Sequence, residues 1–139
     1  MIPARFKTVC EDFVVEEIPL YEPSGEGEHL YVRFAKTDLT TDEAVRRIAR
    51  ALGVHPRDVG VAGMKDRRGV TTQTVSVPCP AKDTEREPRA RSLEIEGVRV
   101  LSAARHKNKL KTGHLAGNRF EVLLRGVPRA RVPEALAAL

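Results

Sequence analysis

The residues "HLYVRFAK" alternate Leu30, Val32 and Phe34 with Tyr31, Arg33 and Ala35. That period of two marks a strand with one face buried. "VTTQTVSVP", from Val70, is rich in β-branched residues and predicts a second strand. Alternation around Phe13 to Glu17 in "RFKTVCEDFVVEEIP" predicts a strand near the start. "LEIEGVRVLSAARH" and "RFEVLLRGV" predict two more, and "HPRDVGVAG" a turn followed by a short strand, Val59 to Ala62. Between the strands the period changes. Val45, Ile48 and Leu52 fall at i, i+3 and i+7 while Arg46, Arg47 and Arg50 point elsewhere, as in an amphipathic helix. Thr40 with Glu43 forms a capping-box pattern at its start, and Gly53 supplies its stop. "LYEPSGEGEH" and "KNKLKTGHLAGN" read as loops, "PCPAKDTEREPRAR" (78–91) as a loop or lid, and "ARVPEALAAL" as the beginning of a helix. The order of elements predicts an α+β fold, with helices on one face of a mainly antiparallel or mixed sheet.

At 139 residues, 41% apolar and 31% charged, the chain can bury one core and reads as a single globular domain. No apolar run approaches the roughly 18 to 20 residues of a membrane-spanning helix. The N-terminus has no signal-peptide core, so the expected compartment is the cytoplasm. Cys10 and Cys79 have no metal-ligand spacing and are expected to stay reduced. The net charge of +5 conceals a division. Residues 1–30 carry two bases and seven acids, whereas Leu101 to Arg119 holds five Lys or Arg and no acid. Such segregation suggests a face that meets a polyanion, with a solvated basic loop as the plain alternative.

Candidate chemistry concentrates in "VAGMKDRRGVTTQ", where Asp66 stands among Lys65, Arg67 and Arg68 between Gly63 and Gly69. A carboxylate among cations keeps its charge and can act as a nucleophile or an electrostatic stabiliser. A surface-turn Asp paired to its neighbours is the alternative. In "GNRF", Asn118 offers a donor and an acceptor to a pyrimidine edge, and Phe120 offers a stacking face. The same residues could be an ordinary turn and a core aromatic. Lys7 could contact a phosphate or a reacting group, or simply be solvated. Four histidines without HxxxH spacing argue against a metal site, and no Gly-rich phosphate loop follows a strand. No cofactor is expected.

Taken in order, "KTVCEDFVVEE", "EGEH", "AGMKDRRGVTTQ" and "RHKNKLKTGHLAGNRFEVLLR" closely resemble the amino-terminal half of the TruD family of tRNA pseudouridine synthases. The likeness runs from about Phe6 to Arg125, and the Asp66 segment is its most specific part. Family members often have Pro where this chain has Cys10, just before the Glu-Asp-Phe motif.

The resemblance implies isomerisation of uridine to pseudouridine in tRNA, at uridine 13, with Asp66 as the catalytic residue and the base flipped out of its stack. It also implies that Phe13, Asn118 and Phe120 line the uridine pocket, with Lys7 and Lys65 setting the charge around Asp66 or holding the RNA backbone. Arg105, Lys107, Lys109 and Lys111 would meet tRNA phosphates. The implied fold is the pseudouridine-synthase architecture. Because family proteins are roughly twice as long or more, the chain is expected to be the amino-terminal part of the catalytic domain. Half a sheet exposes an apolar edge, so self-association or pairing with a missing carboxy-terminal half is expected. The competing classes are a non-catalytic RNA-binding module and a structural domain.

Overall fold

The computed structural model describes residues 13–67 and 69–122. Strand β1 (Phe13–Pro19) is followed by β2 (His29–Thr37), helix α1 (Thr41–Leu52) and a 3₁₀ turn at Pro56–Asp58. Then come β3 (Gly60–Val61), β4 (Val70–Pro78), helix α2 (Arg86–Arg91), β5 (Val98–His106) and β6 (Leu115–Val122). The strands form one mixed sheet in the order β5-β2-β4-β1-β6, with β3 on β4. Only the β1–β4 pair is parallel among the described residues. The predicted α+β architecture with a mixed sheet is therefore the observed one.

The predicted helix caps are present. The Thr40 side chain accepts from the Glu43 amide, Glu43 accepts from the Thr40 amide at 2.9 Å, and Gly53 ends α1 at φ 71°. Helix α1 lays Val45, Ile48 and Leu52 on the sheet face that carries Leu30, Val32, Phe34, Val75 and Val77, all buried. Pairing of β2 with β4 sets Leu30 opposite Val77, Val32 opposite Val75, Phe34 opposite Gln73 and Lys36 opposite Thr71. All eight residues therefore share the α1 face.

Two details depart from the sequence reading. The stretch read as a loop or lid contains α2, started by Asp83 Oδ1, which accepts from the Glu85 and Arg86 amides. Pro88 is tolerated there because it lies in the first turn, where an amide has no intrahelical partner. Strand β6 also begins earlier than predicted, at Leu115, because Leu115, Gly117 and Asn118 pair with the end of β1 across a register shift at Ala116. The helix expected within 130–139 lies outside the described residues, as do Lys7 and Cys10. Cys79 is a buried free thiol.

The β5–β6 connection carries the basic loop across the opposite face of the sheet. Leu110 is its buried peg, beside Tyr31 and Ala62. Its amide donates to Ser76 Oγ at 3.0 Å, and the Tyr31 hydroxyl donates to the Asn108 carbonyl at 2.8 Å. The approach is close enough that a Cβ on Gly60 would meet the Leu110 carbonyl oxygen at 2.2 Å. Residue 60 therefore has to be glycine for the loop to lie flat.

Candidate active site

Strands β1 and β3 share one edge of β4. The first lies parallel along residues 70–72, and the second antiparallel along 75–76. Because β1 occupies the rest of that edge, the chain after β3 leaves the sheet at Ala62. Residues 63–67 lie over the α1 face, and Asp66 sits among them.

Directional bonds hold the segment down. The Thr41 amide, an unbonded donor at the start of α1, donates to the Lys65 carbonyl at 3.2 Å. Thr41 Oγ1 accepts from the Lys65 amide at 2.6 Å and donates to Gln73 Oε1 at 2.9 Å. Gln73 Nε2 in turn donates to the Gly63 carbonyl at 3.2 Å. From beneath, Lys36 Nζ donates to the carbonyls of Leu39 and Asp66, at 2.6 and 2.7 Å.

Lys65 and Arg67, on either side of Asp66, pair with other acids. Lys65 Nζ lies 3.2 Å from Glu17 Oε2, a carboxylate 2% exposed. Glu17 Oε1 also accepts from the Thr74 amide at 3.3 Å. Arg67 reaches Glu43 Oε1 at 2.7 Å and donates to the Asp38 carbonyl at 3.1 Å. Removing either member of the buried Glu17–Lys65 pair would strand the other charge.

Beside this segment, between it and β6, is a cleft of about 350 Å³. Val15 and Thr71 form its floor, Phe13, Asn118 and Phe120 one wall, and Met64, Lys65 and Asp66 the other. The pairing explains the gathering: Val15 lies opposite Phe120 and Glu17 opposite Asn118, so alternate residues of β1 and β6 face the same side. Phe13 and Phe120 meet edge to face, with ring centroids 6.2 Å apart. Among the described residues, Asn118 Oδ1 is the buried side-chain polar atom without a hydrogen-bond partner.

Five residues singled out in the sequence, Phe13, Lys65, Asp66, Asn118 and Phe120, thus line one cleft. Lys7 lies outside the described residues. The basic residues are elsewhere. Arg105, on β5, donates to the carbonyls of Gly27, Cys79, Pro80 and Asp83, at 2.6 to 3.3 Å, and so ties two loops together. Lys107 sits 3.9 Å from Glu26, while Lys109 and Lys111 ride the loop on the reverse face. None of the four lines the cleft.

Sequence reasoning overlooked Glu17, Lys36, Thr41 and Gln73, the residues under the loop. One signal was available for Lys36: it continues the buried set Leu30, Val32, Phe34 at the next alternate position, where a charge is out of pattern. Among the described residues no cluster of three His, Cys, Asp or Glu side chains could hold a metal ion, and no helix is long and apolar enough to cross a membrane.

Comparison with known proteins places this arrangement. The family model for tRNA pseudouridine synthase D (TruD) matches residues 2–139. The chain belongs to the TruD family. It is 56% identical over 133 residues to tRNA pseudouridine synthase D of Geobacter metallireducens, covering 96% of this chain and 32% of that protein. The corresponding figures for tRNA pseudouridine synthase D of Geobacter sulfurreducens are 57% over 132 residues, 94% and 30%. A crystal structure described as a TruD protein of Methanosarcina mazei superposes with a TM-score of 0.71 at 32% identity, over 85% of this chain and 26% of that one. The chain therefore spans about a third of the length of the curated TruD relatives it matches.

Proposed function

We propose that this chain is the amino-terminal part of a pseudouridine synthase catalytic domain and carries the reacting carboxylate, Asp66. The observation that carries the reading is the unpartnered Asn118 Oδ1, buried in a cleft that Asp66 overhangs and two phenylalanines wall. A buried acceptor without a partner costs about 1 to 3 kcal/mol, a debt that a ligand N–H would relieve. Uracil supplies such a donor at N3, with a carbonyl on either side for the amide NH₂ of Asn118. Its flat ring suits Phe120, and the cleft has room for one extruded nucleoside.

In the reaction, the C1′–N1 bond breaks, the uracil turns, and C1′ joins C5. The proton on C5 leaves to solvent and N1 gains one, so the product is an isomer of the substrate. An anionic Asp66 serves attack on the sugar, attack on the base, or removal of a sugar proton by a glycal route. Each requires the carboxylate to be held beside the ribose. Lys65, steadied by Glu17, places a cation one residue away.

The substrate in this reading is tRNA, with uridine 13 as the target. Lys107, Lys109 and Lys111 would contact its phosphates independently of sequence. The chain acts in the cytoplasm and pairs with the remainder of the catalytic sheet.

The test is tritium release from an unmodified tRNA labelled at uridine C5, with wild type and Asp66→Ala compared in the full polypeptide. The expected loss is at least ~10⁴-fold, with tRNA affinity within about threefold. Release by the variant at the wild-type rate would overturn the assignment of Asp66. Salt-sensitive binding by a wild type that releases nothing would favour a non-catalytic RNA-binding module.

A further inference from the structure

Lys36 is 0% exposed, yet no carboxylate lies within ion-pair distance of it among the described residues. It continues the apolar row of β2, where a leucine or methionine would fill the space at lower cost, since a buried ammonium loses its hydration. What an apolar residue could not do is bridge two segments. Lys36 Nζ donates to the carbonyl of Leu39, in the turn that leads into α1, and to the carbonyl of Asp66 itself. The turn is constrained in its own right, because Asp38 holds a left-handed φ of 59°.

We propose that Lys36 is the positioning residue of the Asp66 segment, its ammonium fixing the carboxylate over the cleft from the inside of the fold. This rests on the functional reading of Asp66 given above. Thr41 and Gln73 secure the segment at Gly63 and Lys65. Lys36 makes the corresponding bond at residue 66, one peptide further along. A misplacement of about 1 Å at a reacting group can cost on the order of 100-fold in rate.

The buried charge gives the device a pH signature. Burial lowers the Lys36 pKa from 10.5 to about 8, with Asp66 and Glu43 opposing that shift and Lys65 and Arg67 reinforcing it. Above about pH 8 the amine loses its charge, and its bonds to the two carbonyls weaken from charge-assisted to neutral. Turnover should therefore fall as pH rises through about 8. Stability should move the other way. The folded protein releases this proton before the unfolded chain does, so the Lys36 contribution grows more favourable between about pH 8 and 10.5. A residue that merely held the fold together would link the two trends.

The experiment compares wild type with Lys36→Met in the full polypeptide, measuring single-turnover isomerisation, tRNA affinity and urea unfolding from pH 6.5 to 9.5. Methionine keeps the volume and removes the desolvation cost, so the variant should fold. At pH 7 the rate should drop roughly 30- to 100-fold, with affinity within about threefold. The basic limb near pH 8 should be present in wild type and absent in the variant. Wild-type turnover in Lys36→Met, or a loss matching only its unfolded fraction, would overturn the proposal. Amide hydrogen exchange provides a readout that does not depend on activity. In the variant the Lys65 amide should exchange about tenfold faster while the β2–β4 ladder stays unchanged. If wild type itself isomerises nothing, the functional reading fails, and unchanged exchange at Lys65 would then sink the positioning role as well.

Discussion

One face of one sheet is used in two ways here, and the border runs through neighbouring residues. Toward the far ends of β2 and β4 the inward positions are Leu30, Val32, Val75 and Val77, roofed by α1. Toward the other ends they are Lys36, Gln73 and Thr71, joined by Glu17 of β1 and roofed by the loop that carries Asp66. Both halves are buried. The first is held by non-directional burial, which fixes how firmly α1 stays but tolerates small shifts. The second is held by bonds with defined donors and acceptors: Gln73, Thr41 and Lys36 meet backbone atoms of residues 63, 65 and 66, and Glu17 meets the Lys65 ammonium. Burial stabilises the scaffold; the polar half gives one loop one position.

Substitutions in the two halves should therefore fail differently. Leu30→Ala in the apolar half should lower stability by about 2 to 5 kcal/mol, read as a drop in the urea midpoint. The molecules that remain folded should turn over at the wild-type rate. Gln73→Leu should do the reverse. It removes the bonds to Thr41 and Gly63 but fills the space, so stability should change by less than about 2 kcal/mol while turnover falls roughly 10- to 100-fold. Equal effects on stability and rate in both variants would erase the distinction.

The apolar half could be read from the chain because its physics is periodic. Leu30, Val32 and Phe34 announce a strand, and Val45, Ile48 and Leu52 announce the helix above it, without knowledge of any partner. The capping residues Thr40, Glu43 and Gly53 were equally legible, since a cap is a local transaction. The polar half depends on pairings between distant segments: Glu17 with Lys65, Thr41 with Gln73, Lys36 with Asp66. Nothing in the spacing of those residues says that they meet. Lys65 and Arg67 adjoin Asp66 in sequence, yet they reach the more distant acids Glu17 and Glu43. Asp66, Asn118 and Phe120 were singled out by their own chemistry, and Phe13 joined them through the family resemblance. Their juxtaposition follows from the β1–β6 register, which brings Val15 opposite Phe120. In α2 the sequence misled, because prolines and charges suit a first helical turn as well as a loop.

The reverse face supplies the gentlest contrast. There the loop bearing Lys107, Lys109 and Lys111 is anchored by uncharged groups: Leu110 among apolar neighbours, the Tyr31 hydroxyl on the Asn108 carbonyl, and the Gly113 amide on the Ala62 carbonyl at 2.7 Å. The ammonium groups of Lys107 and Lys111 take no part in that anchoring, so replacing both by Ala should leave the fold and the catalytic step unchanged. If they meet phosphates, the loss appears only in binding. The slope of log affinity against log salt should become shallower by about one unit per lysine, measured by filter binding over a range of salt concentrations. An unchanged slope would place the RNA elsewhere, and Arg105 would not be the substitute, since its guanidinium already holds four carbonyls together. A reduced slope with an unaltered single-turnover rate would show that this sheet separates its tasks by face: one for grip, the other for chemistry.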